Sequence, residues 1–483
     1  MTRIPPFSIG VIATIMFCFV YESNCANVTN TCAVIGRDIS SASAIIYPSD
    51  TIAFTTDTSH FTESSNQIPT CVLEVGSAQD VAVALKIIGA TKTPFAIMSG
   101  GHSSNQKFSS TTGIHISLIR LRQVVFSADK STVEIGMGIT WAEVYQILDG
   151  TGYNVVGGRT FGPGVGGFTL GGGYSWKTNQ YGLTCDTVRS YNLVLPNGTI
   201  TTASKRINPD LFFALKGGLN RFGIVTSAVF ETHAQVPLIY GGQVFYSTDD
   251  IPAVINATLE FYKLADIKTQ IMYIIATTPT QESVILLAFH DGPNRPSSLS
   301  VFDNITPLSS TLSTLSFSDF VHSIQDKPRI RGTADTISTT GITTGFIKAV
   351  SDQIAALREA AVSHGAASIA FDIEPFTDYG KHATDSAYPH TRSQLPLGLD
   401  FSWVSADDDE FWHDTAKNAI AKLKVVAAQE GIYNPKEAAY PNYSAASKTA
   451  LQLYGEENTE RLKRIRAQID PYNVMKLAGG FDL

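Results

Sequence analysis

The 483-residue chain is longer than one hydrophobic core usually organises, so two domains are expected. Hydrophobic residues make up 43% and charged residues only 16%, which excludes intrinsic disorder and a long coiled coil. The formal charge of -8 carries no block of one sign, which excludes the basic footprint of a nucleic-acid binder, and the 38 glycines follow no collagen-like period.

At the N-terminus, Arg3 precedes an apolar run from Ile9 to Val20, followed by the exit residues Ser23, Asn24, Cys25 and Ala26. This reads as a secretory signal peptide over residues 1–25, too short to cross a bilayer, which takes about 20 apolar residues. No later segment has the length and apolarity of a membrane span, so the mature protein is expected to be secreted and not membrane-bound. Three cysteines then remain, and the expected disulfide is Cys32–Cys71, tethering a Ser/Thr-rich segment, with Cys185 a buried thiol. Sequons at Asn27, Asn197, Asn256, Asn304 and Asn442 suit a glycoprotein.

From Thr70, strand-like and helical text alternate. CVLEV from Cys71 reads as a strand, Ser77 and Asp80 as a capping box, and Val81, Leu85 and Ile88 as one face of the next helix. TPFAIM from Thr93, GIHISL from Gly113 and TVEIGMGI from Thr132 read as further strands. Thr140 and Glu143 make a second capping box ahead of Trp141, Val144, Tyr145 and Leu148 at helical spacing. Pro196-Asn197-Gly198 is a hairpin signal. Strands and helices interleave without strict βαβ repetition, so the expected class is α+β.

After Ala234–Leu238 the glycine clusters stop. Residues 237–436 read as a second unit, with strands in GGQVFYS, QIMYIIAT and SVILLAFH and helices over Ile251–Leu264 and Thr344–Gly365. Ser309–Ser318 is low-complexity text expected to form a surface connection. The final helix is expected over Glu457–Ile469, with Glu457–Arg461 and Glu460–Arg464 paired at i,i+4 and Leu462, Ile465 and Ile469 facing inward.

The chemistry is concentrated in three glycine-rich segments: Ser99–Asn105, Gly157–Gly173 and Lys216–Thr226. Glycines let backbone approach a ligand closely and supply N–H groups that cradle phosphate oxygens. Gly162–Gly167 matches G-x-G-x-x-G, but more glycines follow where a nicotinamide-binding mononucleotide fold needs a long helix, which argues against that fold. His102 sits between two glycines and two serines with no neighbouring Cys, His or carboxylate, so it is a poor metal ligand and no metal is expected. Residue types alone leave both a structural histidine and a covalent cofactor attachment open.

The motifs SGGHSSN, GITWAEVYQIL, GGRTFGPGVGGFTLGGGYSW, YGLTCD, GGLNRFGIVT, AYPHTR and YPNYS occur in that order, with DPYNVM and GGFDL closing the chain. In these the protein resembles the berberine-bridge-enzyme-like branch of the vanillyl-alcohol-oxidase flavoproteins, specifically its fungal secreted members. The resemblance covers nearly the whole mature chain. It implies a PCMH-type FAD-binding domain over residues 26–236 (core about 66–236). A substrate domain would follow over 237–436, with an antiparallel sheet covered by helices, and a segment over 437–483 would return to the first domain. It makes His102 the 8α-histidyl link to FAD, with Ser99, Gly100, Gly101, Ser103, Ser104 and Asn105 around the pyrophosphate. Gly164, Val165, Gly166 and Gly167 with Leu170, Gly171, Gly172 and Gly173 would pass along the cofactor. Gly223, Ile224 and Val225 would close over it, and Asn442 and Tyr443 would come back to the flavin ring. Thr160 stands where bicovalent relatives carry a cysteine, so the resemblance implies a monocovalent flavin. Pro163 replaces a common valine near the oxygen approach, and Lys107 stands where many relatives have glycine.

The implied reaction is hydride transfer from a small, secondary-metabolite-like organic substrate to flavin N5, with oxygen reduced to hydrogen peroxide. Tyr443 is the first candidate base, and Tyr440 and the strand acids Asp372 and Glu374 are the next. Period 2 puts those two acids on one face. Alternatives are a carbohydrate oxidase, a dehydrogenase using another acceptor, or a flavin-bearing binding protein without turnover.

Overall fold

The computed structural model describes residues 27–325 and 328–483; the expected signal peptide lies outside them. Residues 27–38 are helical and carry Cys32, which is bonded to Cys71 at the head of the strand Cys71–Glu74; Cys185 is a buried free thiol. Among the described residues no helix is long and apolar enough to cross a membrane.

The class is α+β. A four-stranded sheet orders Ala44–Ile46, Cys71–Glu74, Ile114–Ser117 and Phe95–Met98, the last two contacts parallel. Helix Ala78–Thr91 connects the strands Cys71–Glu74 and Phe95–Met98. Its start departs from the expected capping box: Ser77 accepts from the Asp80 N–H, but the Asp80 carboxylate does not return to the Ser77 backbone. It accepts instead from Ser40, Ser43 and Ser77 hydroxyls at 2.7–2.8 Å, fastening an earlier turn to the helix. A five-stranded antiparallel sheet follows, ordered Val124–Phe126, Thr132–Gly136, Ile224–Glu231, Val188–Val194 and Ile200–Ser204, the last two forming the expected hairpin. The Thr140–Glu143 capping box forms as expected ahead of Trp141–Leu148.

Residues 239–403 supply one antiparallel sheet. Its order is Ser309–Ser310, Ile239–Tyr246, Glu282–His290, Thr269–Thr277, Ala366–Ile373, Leu395–Trp403 and Arg331–Thr339, with Ser313–Leu315 also on Ile239–Tyr246. The Ser/Thr text expected as a plain connection therefore adds short exposed edge strands. Helices Ile251–Leu264, Thr344–Ser363 and Asp409–Gln429 cover one face of the sheet. Strand alternation divides the residues cleanly. Ile271, Tyr273, Ile275, Leu286, Phe371 and Phe401 pack under the helices, while Met272, Ile274, Leu287, Ala370 and Asp372 face the other way, into a cavity.

The last helix starts at Ala450, ahead of the expected Glu457, with a Thr449/Gln452 capping box, and Gly455 at φ +72° interrupts it. The expected i,i+4 pairs do not form. Arg461 reaches Asp210 and Asp385, and Glu460 pairs with Lys463. Long-range partners hold the guanidinium better than an exposed helix neighbour does. Leu453, Leu462, Ile465 and Met475 join the same core as the first two sheets, so the C-terminal segment packs back on the first half of the chain.

Candidate active site

The cavity between the glycine loops and the open face of the large sheet measures about 560 Å³, within the usual range for small-molecule sites. Its loops are pinned to one another. Ser99 leaves the strand Phe95–Met98; its hydroxyl donates to the Met137 carbonyl at 2.5 Å and accepts from the Gly166 N–H at 3.1 Å. A Cβ on Gly100 would lie 2.4 Å from the Gly164 nitrogen, so these two loops touch backbone to backbone and tolerate no side chain. A Cβ on Gly167 would meet nothing within 4 Å. Gly167 faces open cavity, and the short helix Val165–Leu170 starts there.

His102 lies on the cavity wall with its ring stacked on Phe61, centroids 4.2 Å apart. Burial, then the nearby Arg329 charge, push its pKa down to about 4 against the opposing pull of Asp400, so the imidazole is neutral near pH 7. A Cβ at Gly162 would come within 3.0 Å of the ring, so only glycine leaves room for its Cδ2–Nε2 edge.

Most residues singled out in the sequence line this one cavity: Ser99, Gly100, Gly101, His102, Ser103, Asn105, Thr160, Pro163, Gly164, Gly166, Gly167, Leu170, Gly223, Ile224, Val225, Asp372, Tyr440, Asn442 and Tyr443. Ser104, Val165, Gly171, Gly172, Gly173 and Glu374 are not on its wall. Val165 is fully buried and donates to the Ile139 carbonyl. Gly172 and Gly173, at φ +114° and +87°, turn the chain away and pack against Tyr388 and Thr184. The Asn105 side chain holds the C-terminal segment, donating to the Ser444 carbonyl at 2.9 Å and accepting from the Ala446 N–H at 3.0 Å. Asn442 donates to the Phe168 carbonyl and to the Tyr440 hydroxyl, which also accepts from the Gly173 N–H at 3.2 Å. Burial pushes the Tyr440 phenol up to about 12, and its hydroxyl ties the Gly173 and Asn442 segments together.

The electrostatic centre is Arg159, which the sequence reading missed. Its guanidinium grips Glu374 at 2.6 and 3.0 Å and donates to the Tyr443 hydroxyl at 2.5 Å. Trp176 and Phe376 rings flank the cation at 5.9 and 5.6 Å, and Trp176 Nε1 donates to the Arg159 carbonyl. Tyr443 in turn donates to Glu374 at 2.9 Å. Burial raises the Tyr443 phenol well above its ordinary value; Arg159 opposes the rise, and Glu374, Tyr440 and Asp372 add to it. Glu374 lies just past the strand end at Ile373 and is 1% exposed, behind Arg159, while Asp372 faces the cavity. A lone arginine inside a glycine-rich loop, in a chain poor in charge, was the signal that could have found Arg159.

The residues present fit an FAD. Two glycine loops touch where a Cβ would block them, Gly167 leaves open space at a helix start, and a neutral imidazole shares their wall. The family model described as FAD binding domain matches residues 69–204. FAD-dependent monooxygenase tpcD of Cochliobolus heterostrophus is 30% identical over 454 residues, covering 84% of this chain and 83% of that protein. An uncharacterized FAD-linked oxidoreductase of Arthroderma benhamiae is 38% identical over 250 residues, 51% of this chain, which thereby spans 49% of that protein's length. Among solved structures, BBE-like 1 of Physcomitrella patens matches with a TM-score of 0.77 at 18% identity, covering 94% of this chain and 98% of that one. Glucooligosaccharide oxidase of Acremonium strictum matches with a TM-score of 0.72 at 20% identity, covering 88% and 94%. The PCMH-type fold and the cavity define a flavin-dependent oxidoreductase. The chain belongs to the FAD-linked oxidoreductase family that includes fungal proteins named FAD-dependent monooxygenases, and it shares its fold with BBE-like 1.

Proposed function

We propose that the protein is a secreted oxidoreductase that carries FAD on His102 through a single bond and oxidises a small apolar organic molecule, with oxygen as the acceptor giving hydrogen peroxide. The observation that carries this reading is a neutral His102 sharing one cavity with the Arg159–Tyr443 pair. The glucooligosaccharide oxidase is described with both a cysteinyl and a histidyl FAD link; Thr160 offers no thiol, which supports the histidyl bond alone. Cofactor contacts fall to the glycine loops and to Gly223–Val225. When bound, FAD supplies a two-electron acceptor for a hydride from the substrate carbon. The chain supplies proton transfer: Tyr443 Oη takes the substrate proton as its own passes to Glu374 Oε1, and Arg159 holds both oxygens in place. Asp372, on the same wall, is the alternative acceptor.

Met272, Ile274, Ile285, Leu287 and Ala370 give the substrate side an aliphatic stretch of floor beside Gln243, Ser368 and Ser402, which supports an apolar ring system over a sugar. Export is supported by the N-terminal sequence pattern and by the Cys32–Cys71 disulfide. Asn27, Asn197, Asn256 and Asn304 are exposed, which suits glycosylation; Asn442 lies on the cavity wall, where bound flavin would exclude a glycan. Pro163 on the cavity wall favours the second reading, a dehydrogenase that passes electrons to a quinone-like acceptor.

The test is anaerobic mixing with apolar phenols and polycyclic ketones on one side and oligosaccharides on the other, followed by admission of air. Flavin bleaching by the apolar set, with prompt reoxidation and peroxide, is the expected result. Bleaching by sugars alone replaces the substrate class, slow reoxidation replaces the acceptor, and no bleaching by any compound removes catalysis. Product mass separates loss of two hydrogens from gain of one oxygen.

A further inference from the structure

Phe61 belongs to the Ser/Thr-rich segment between Cys32 and Cys71, and nothing in the proposed chemistry uses it. Its ring lies parallel to the His102 imidazole, with centroids 4.2 Å apart and planes 10° apart. The Arg329 guanidinium carbon sits over the same ring, 4.8 Å from its centre. Both oxygens of the Asp400 carboxylate hold that guanidinium. The backbone joins the same residues: the Phe61 N–H donates to the Gly101 carbonyl at 3.0 Å, and the Arg329 N–H donates to the Phe61 carbonyl at 2.8 Å. Three segments distant in the chain are thus laced together at one end of the cavity, with Phe61 between the other two.

This lacing does more than fill space. Phe61 covers one face of the imidazole and the Gly162 backbone runs past its Cδ2–Nε2 edge, so the ring is bounded on two sides. A cation over an aromatic face is an oriented contact that an aliphatic residue cannot replace. Asp400 and Arg329 also line the cavity, so the clamp stands where a ligand bound to His102 would begin.

We propose that Phe61 and Arg329 are positioning residues for covalent attachment of the flavin: Phe61 fixes the plane of the His102 imidazole, and Arg329, anchored by Asp400, fixes Phe61. The inference rests on the His102 attachment proposed above. In that step a bond forms between a His102 ring nitrogen and the 8α carbon of FAD, and one 8α C–H bond breaks. The methyl proton, the imidazole N–H proton and two electrons end on the flavin, and oxygen then removes both as hydrogen peroxide. The low proton affinity of His102 supports the step, because the ring is neutral before it reacts.

The experiment uses the full chain secreted from a eukaryotic host, as wild type and as Phe61→Leu, Phe61→Tyr, Arg329→Met and Arg329→Lys. Each is precipitated in acid, and the share of flavin left in the pellet is measured alongside total flavin and the thermal midpoint. Phe61→Leu and Arg329→Met are expected to fold and bind FAD while the covalent share falls roughly fivefold, the scale of one partly exposed cation–π contact. Phe61→Tyr, which keeps the ring, and Arg329→Lys, which keeps the charge, are expected to recover most of it. Covalent shares equal to wild type in both Phe61→Leu and Arg329→Met overturn the proposal. So does an equal loss in Arg329→Lys and Arg329→Met, and that comparison decides even if Phe61→Leu does not fold. Wild-type flavin that is itself released by acid overturns the attachment reading as well, and so separates the two failures.

Discussion

Arg159→Met removes the cation that joins Glu374 and Tyr443. The Glu374 side chain has 0% exposure and Arg159 has 6%, so the carboxylate left behind cannot be rescued by water. Removing one member of such a pair typically costs about 3–5 kcal/mol, because the other stays charged and buried. Tyr443 still donates to Glu374 at 2.9 Å, which offsets part of the loss. The expected cost is therefore near the lower end, about 3 kcal/mol. Glu374→Leu strands the guanidinium in the same way. The double variant Arg159→Met with Glu374→Leu strands neither charge and fits an apolar surround of Trp176 and Phe376. It is expected to fall short of the summed single costs by at least about 2 kcal/mol. Urea titration of the four proteins gives the coupling energy directly. Single-variant costs that add to within about 0.5 kcal/mol would refute the reasoning, since they would mean the two charges do not depend on each other.

His390 and Asp186 form a second buried pair, 2.8 Å apart, between the AYPHTR segment and the first half of the chain. Burial opposes the His390 charge, but Asp186 raises its pKa overall. Burial likewise opposes the Asp186 charge, yet His390 and the Thr384 hydrogen bonds lower its pKa. The histidine contribution is present below its unfolded value of 6.5 and is lost as pH rises through the folded value; the aspartate contribution is present above 3.8 and is lost on acidification. The stability gap between wild type and His390→Asn is therefore expected to peak between those limits and shrink toward alkaline pH, as read by urea midpoints across pH. Replacing Cys32 and Cys71 by alanine frees a tether of sequence separation 39 and is expected to cost about 4 kcal/mol, measured by denaturant unfolding. Lys107 sits at φ +64°, where its carbonyl receives the Gly480 N–H, so Lys107→Gly is expected to raise stability by roughly 0.5–1 kcal/mol in the same assay.

Local features were the most legible in the sequence. The Thr140–Glu143 box, the hairpin around Asn197 and the helix Ile251–Leu264 each depend on residues within a few positions of one another. The Cys32–Cys71 bond was legible because few cysteines were available to pair. What was missed depends on distant partners. Asp80 looked like half of a local box, but two serines about 40 positions away take its oxygens. Arg461 had a tenable helical partner, yet Asp210 and Asp385 lie closer in space. Period 2 put Asp372 and Glu374 on one face, but the strand ends between them, so one faces the cavity and the other the Arg159 side chain. Phe61 carried no motif at all; only the fold brings it to His102.

The central claim is that His102 holds the flavin. Its most direct test is to secrete wild type and His102→Ala, precipitate both in acid, and compare the flavin absorbance of pellet and supernatant. Colour that stays in the wild-type pellet and moves to the supernatant in His102→Ala is the predicted result, because Thr160 leaves no second attachment point. Colour released from wild type, or retained equally by His102→Ala, would contradict the account.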